Sequence, residues 1–277
     1  MPEGRVIRVL CAYDPKWFIQ TFPTFAANLF AMIPNLPISV SISFMFIALI
    51  TVWALYEATN RSRALLFIAA VWLVVQTVLG MSGFYTVTNT VPPRFALLGL
   101  PPLALIIAVF ATPKGRRFVD SLDLKKLTFL HTIRILVELM LLNLSIHKLV
   151  PQLMTFEGRN FDIISGVTAP FMFYLVFVRR LFGRKTLLVW NIICLGLLLN
   201  IVINAVLSLP SPFQQFGFEQ PNVAILYFPF VWLPCGVVPI VLFAHLVAIR
   251  QLLSKNKFDD SLRVTLINQK QGMNTRQ

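Results

Sequence analysis

Seven apolar runs, each approaching or exceeding the length of a bilayer crossing, alternate with short polar segments: residues 38 to 56, 64 to 84, 95 to 111, 127 to 149, 163 to 178, 186 to 207 and 223 to 249. A helix rises about 1.5 Å per residue, so roughly 20 apolar residues cross the hydrocarbon layer. Within that layer every backbone amide must be satisfied internally, and runs this long and unalternating read as helices rather than tilted barrel strands. The pattern predicts an all-α fold, a polytopic transmembrane helix bundle of seven spans. It divides the chain into an N-terminal segment, 1–37, a bundle, 38–249, and a basic tail, 250–277.

Residues 17 to 33 follow a different pattern. Phe18, Phe22, Phe25, Leu29 and Ile33 recur at helical spacing while Gln20, Thr24 and Asn28 fall opposite, as in a helix lying in the membrane interface. The alternative is an eighth span turning at residues 34 to 37, which would bring both termini to one side. No signal peptide is expected, because the basic start is not followed by an apolar core and a small-residue cleavage site.

Composition agrees with the membrane reading: of 277 residues 57% are hydrophobic and 13% charged, against about 25% charged in soluble domains. A formal charge of +13 is compatible with nucleic-acid binding, but its placement argues otherwise. Alternate segments carry Arg61 and Arg63; Lys114, Arg116, Arg117, Lys125 and Lys126; Arg179, Arg180, Arg184 and Lys185; and six more after Ile249, 17 in all, whereas the intervening segments hold only Arg94, Lys148 and Arg159. The positive-inside rule then places the C-terminal tail in the cytoplasm. In the seven-span arrangement Arg5, Arg8 and Lys16 run against that bias. The partners expected are the bilayer, with anionic headgroups at its cytoplasmic face, and a small solute; nucleic acid is not expected, and the oligomeric state is not specified.

Candidate chemistry lies in the fourth run. His131, Arg134 and Glu138 are three and seven residues apart and share a helix face, which Ser145 continues. Ionisable groups inside a membrane are costly and usually face a bundle interior or a cavity. Two readings stand: an Arg134–Glu138 pair within the helix that locks the bundle, and a solute or proton site with Glu138 titrating and Arg134 as its counter-charge. Asn200 and Asn204 share a face of the sixth run and join Gln76, Asn191 and His245 as further intramembrane polar groups. These hold helices together or line a cavity with Glu138. His245 falls at about the depth of His131, which leaves axial ligation of haem by the two as an option; otherwise no cofactor is predicted.

Two segments on the less basic side are richer than topology requires. TFEGRNFD (residues 155–162) and SPFQQFGFEQPN (211–222) supply Glu157, Arg159, Asn160, Asp162, Gln214, Gln215, Glu219 and Asn222 beside several phenylalanines. They suit a polar pocket with an aromatic rim, or interfacial anchoring by the rings. Glu157 with Asp162 is a weak candidate for a hard cation. Cys11, Cys194 and Cys235 are scattered, so no metal site is expected. No phosphate loop, zinc-protease motif, nucleophile elbow or internal repeat is present. Pro229, Pro234 and Pro239 predict a broken or kinked last span whose freed carbonyls fall near mid-membrane; Pro101-Pro102 and Pro170 predict bends in the third and fifth.

The run from Leu130 through Arg134 to Glu138, the stretch TFEGRNFDIISGVTAP, Trp190-Asn191 through Asn204, and PFQQFGFEQPNVAILYFPFVWLP together resemble an uncharacterised family of bacterial polytopic membrane proteins over roughly residues 90 to 250. The resemblance implies a bacterial cytoplasmic (inner) membrane location and no reaction. Three classes of function remain: a carrier or channel for a small solute or proton using the Arg/Glu site; a membrane-embedded enzyme acting on a lipid or small molecule through Glu157, Asp162 or His147; and a noncatalytic sensor or assembly factor.

Overall fold

A computed structural model describes Ile33 and residues 36–254. The amphipathic pattern of residues 17 to 33, apart from Ile33, and the tail beyond Ser254 lie outside the described residues. Within them the chain is helical and no strand occurs. Nine α-helices follow in order: α1 Ile38–Ala58, α2 Arg63–Met81, α3 Ala96–Ala111, α4 Pro113–Asp120, α5 Leu124–Leu130, α6 Ile133–Ile146, α7 Ile163–Phe173, α8 Arg184–Leu207 and α9 Val238–Leu253. Five helical runs are long and apolar enough to cross a membrane: α1, α2, the combined α5–α6 run Leu124–Ile146, α8, and Leu233–Leu253. A sixth is added if α3 and α4, bent by 93° from one another, form one broken span, and the run Ile163–Val178 is apolar but shorter.

The helical runs of membrane-crossing length carry apolar side chains on their exposed as well as their buried faces. On α1, Phe44, Ala48, Thr51 and Leu55 turn inward while Ile42, Phe46, Leu49 and Trp53 lie exposed on the outside. The buried centre is formed by α9 and the α5–α6 run, with α1, α7 and α8 packed around them. Phe44 of α1 meets Phe230 with ring centroids 5.1 Å apart.

Helix ends follow local chemistry. Thr112 accepts from the Gly115 amide, and Pro113, whose missing N–H costs nothing in the first turn, follows it. The chain therefore restarts as α4 instead of extending α3. Asp123 caps α5 by accepting from the amides of Lys125 and Lys126.

The expected break in the last span occurs, with altered boundaries. Residues 223 to 232 are not part of the long helix; Ala224–Leu226 is a single tight turn, and a wide helical turn at Leu233–Val237 leads into α9. Pro239 has no N–H to offer the Cys235 carbonyl four residues earlier. That oxygen instead accepts from Trp72 Nε1 of α2 at 2.9 Å, and Trp232 Nε1 returns a bond to Leu73 O at 3.2 Å. A wide turn also follows Pro170, at Tyr174–Val178.

The basic segments gather at one end of the bundle. Lys126 and Arg61 pair with Glu57, Arg250 pairs with Asp120 at 3.0 Å, Arg184 donates to Leu252 O, and Asn60 donates to Ser121 O. Segments read from sequence as lying on one side of a membrane thus meet in space.

Beyond α2, Gly83 adopts φ +72, a conformation that disfavours a side chain, and turns the chain into the short turn Phe84–Thr86. There the buried Tyr85 hydroxyl donates to Gln76 Oε1 at 2.5 Å. Burial pushes the phenol up from 10.0 to about 12. The folded state therefore holds this proton more tightly than the unfolded chain. Its stabilisation is fully present below pH 10 and is lost progressively as the pH climbs through about 12. Thermal unfolding in detergent should show wild type losing stability more steeply than Tyr85→Phe across that window; parallel curves would contradict the assignment.

Candidate functional site

The α5–α6 run tightens for one turn at His131-Thr132, where Arg134 N bonds to His131 O at 3.1 Å and Ile135 N to Thr132 O at 3.2 Å. His131, Arg134 and Glu138 face the bundle interior as their spacing predicts, at 0%, 2% and 1% exposure. The ion pair is different from the expected one. Arg134 does not pair with Glu138 along its own helix; it reaches across to Asp162, with Nε donating to Oδ2 at 2.6 Å and Nη2 to Oδ1. Asp162 stands immediately before α7, where an aspartate ordinarily caps its helix. It caps nothing, because its carboxylate is spent on the guanidinium. The two-pronged geometry suits the planar fork of arginine.

The remaining guanidinium donors fix neighbouring groups. Nη1 donates to His245 Nε2 at 2.9 Å and Nη2 reaches the Cys194 carbonyl at 3.3 Å. Arginine only donates, so His245 Nε2 is the unprotonated nitrogen and Nδ1–H donates to Asn191 Oδ1 at 3.0 Å. Asn191 Nδ2 in turn donates to Leu187 O at 2.9 Å. One directional chain of donors thus links α6, α9 and α8. Gly166 of α7 lets the α6 backbone approach closely at the boundary that the Arg134–Asp162 pair spans, since a Cβ there would meet Ile135 N at 2.8 Å.

Glu138 occupies a separate position. Both carboxylate oxygens lie 2.7 Å from Asn160 Nδ2, which also contacts Met154 O at 3.0 Å, while Asn160 Oδ1 accepts from the Asp162 amide at 3.0 Å. Among the described residues Glu138 has no cation within ion-pair distance. It lies with Asp162 on the wall of a cavity of about 370 Å³ between α3, α6, α8 and the wide turn before α9. Among the described residues these two are the only charged ones lining it; the rest are aliphatic and aromatic side chains with Gly99, Met154, Pro234 and Pro239.

The haem option does not fit. The His131 and His245 rings stack face to face, 3.9 Å between centroids and 16° between planes, which leaves no room for an iron and its macrocycle between them. Both nitrogens of His245 are engaged, whereas those of His131 have no hydrogen-bond partner among the described residues. Trp190 borders both rings, at 5.6 Å and 6.2 Å, and is fixed by Nε1 donating to Thr168 Oγ1 at 2.9 Å. Among the described residues no group of three or more His, Cys, Asp or Glu is placed to hold a metal ion.

The other predicted residues disperse. Asn200 Nδ2 donates to Arg159 O at 2.9 Å and Asn204 Nδ2 to Asn200 Oδ1 at 3.3 Å, fastening α8 to the 155–162 segment without a hydrogen bond from either side chain to Arg134. The eight residues read as one outer pocket are not collected into one. Asn160 and Asp162 turn into the core, and Asn222 is buried with Nδ2 donating to Ala205 O at 3.2 Å. Glu157, Arg159, Gln215 and Glu219 are exposed, and Gln214 Nε2 closes its own loop on Phe216 O and Gly217 O. Arg159 does lie over the Phe216 ring at 5.6 Å. Exposed Glu157 is unlike buried Asp162, and His147 Nδ1 lies 2.9 Å from Asn143 O at the end of α6.

Sequence reading brings in Asn191 as an intramembrane polar group but gives no site role to Trp190, Cys194 or Gly166. Asn191 was visible as an amide in an apolar run. Cys194 contributes only a backbone carbonyl, and nothing in the sequence marks it. Residues 95–253, over half of the chain, match the family described as a domain of unknown function, DUF8737, and the chain belongs to it. No curated protein and no solved structure matches it.

Proposed function

We propose that this member of the family is a multi-pass membrane carrier, with seven spans, its C-terminal tail in the cytoplasm, and Glu138 as the group that binds a small solute or a proton. The seven spans are α1, α2, α3 with α4, the α5–α6 run, α7, α8 and α9. The gathering of Arg61, Lys126, Arg184 and Arg250 at one end supports a cytoplasmic face there. The resemblance in sequence favours the bacterial cytoplasmic membrane as the location.

One observation carries the carrier reading. Asp162 has taken the guanidinium that would otherwise neutralise Glu138, leaving this carboxylate with an amide donor only, on a cavity wall. A purely structural carboxylate in hydrocarbon is expected to sit beside its counter-charge. The broken last span, whose Pro234 and Pro239 line the same cavity, supplies a place where a helix can bend as the site opens.

The test is flux into proteoliposomes containing the full chain and a pH-sensitive dye, challenged with a panel of small amines, carboxylates, amino acids and sugars. At least one solute should produce a flux that Glu138→Gln abolishes and that exposed Glu219→Gln leaves intact. If no solute gives a Glu138-dependent signal while the variant remains monodisperse, the carrier reading is wrong.

A further inference from the structure

We infer that the ligand of the Glu138 site is a single-chain amphiphile with an ammonium head, which reaches the site sideways from the bilayer between α3 and α8. This rests on the reading that Glu138 binds a ligand, and adds the ligand's class and route.

Shape is the first argument. The cavity follows α3 from Ala96 to Ile106, about 15 Å of helix at the usual rise. Its α3 and α8 walls include Leu103, Leu199 and Val206, which are 41%, 45% and 42% exposed and would face acyl chains in a membrane. A polar solute would find almost nothing to bond along this length, whereas an alkyl chain would find aliphatic contacts throughout. Charge is the second argument. Arg134 and Asp162 neutralise one another, so among the described residues the formal charge left on the cavity wall is the single negative charge of an ionised Glu138. An ammonium supplies both the missing positive charge and donors for the carboxylate oxygens, while a carboxylate or phosphate head would be repelled. Another cavity, of about 240 Å³ between α1, α2, α3 and the start of α9, has no charged residue on its wall among the described residues and offers no such anchor.

The experiment uses the full chain in lipid nanodiscs and dodecylamine carrying a diazirine in mid-chain, with the matching diazirine dodecanoate as comparator. Crosslinks read by peptide mass spectrometry should fall on α3 and α8 around Leu103, Leu199 and Val206, and unlabelled dodecylamine should compete. Glu138→Gln should lower labelling by about tenfold by removing the charge partner. Gly99→Phe is a second, independent variant, since a Cβ at Gly99 meets nothing within 4 Å and the ring would fill the cavity instead of the backbone; it too should abolish labelling. Equal labelling by amine and dodecanoate, or labelling unchanged in Glu138→Gln, would reduce the cavity to a seat for bulk lipid and overturn the inference. Glu138-dependent flux of a water-soluble solute without dodecylamine labelling would also overturn it while sparing the carrier reading. Glu138-dependent labelling without flux of any solute would uphold the inference and remove transport.

Discussion

Arg134→Leu is expected to destabilise the protein by about 3–5 kcal/mol, the range for breaking a buried ion pair from one side. The substitution strands the Asp162 carboxylate at 5% exposure and removes the donor to His245 Nε2, so two buried acceptors lose their partner together. The informative comparison is the double variant Arg134→Leu with Asp162→Leu. Removing both charges leaves no uncompensated ion, and exchanging a buried pair for apolar side chains is often close to neutral. Thermal unfolding in detergent should therefore find the double variant more stable than Arg134→Leu alone. If the two losses simply add, the bond between α6 and the start of α7 is not the energetic unit described above.

Gly166→Ala is expected to cost about 1–3 kcal/mol, the usual penalty for forcing extra volume into a packed contact. The added methyl would lie 2.8 Å from Ile135 N and 3.2 Å from Arg134 C, and a backbone cannot swing aside as a side chain can. Helices α6 and α7 must separate, and the Arg134–Asp162 pair spans that boundary. Gly196→Ala on α8 is the matched control, because a Cβ there meets nothing within 4 Å. It should gain about 0.5–1 kcal/mol from the greater helix preference of alanine. A Gly166 variant behaving like the Gly196 variant would show that the close approach carries no packing energy.

Much of this was legible in the sequence and some was not, for identifiable reasons. Apolar runs locate the helices because backbone hydrogen bonding satisfied within each run imposes helical structure locally. Positions 131, 134 and 138 shared a face for the same local reason. The partner of Arg134 was not legible: Glu138, four residues along the helix, satisfied every local rule, while the actual partner lies 28 residues away at the start of another helix. An aspartate in front of an apolar run reads as a cap or a loop residue, and only tertiary placement turns Asp162 inward. Asn160 reads as part of the outer segment for the same reason. The last span was legible as broken but not in detail, because prolines show which donors are missing and not where the chain recovers. That recovery depends on Trp72, more than 160 positions away.

That attachment bears on how the protein is built. Helix α2 buries only Leu73, Gln76 and Gly80, and its docking is to α1, to the turn that follows it, and to the wide turn before α9. Its indole bonds, Trp72 to Cys235 O and Trp232 to Leu73 O and Thr77 Oγ1, all need residues made near the end of synthesis. In the membrane topology proposed above, a ribosome feeding the chain into the bilayer leaves α2 without these bonds until the last span arrives. Its insertion is set by hydrophobicity and flanking charge, and its place in the bundle is settled by the final helix.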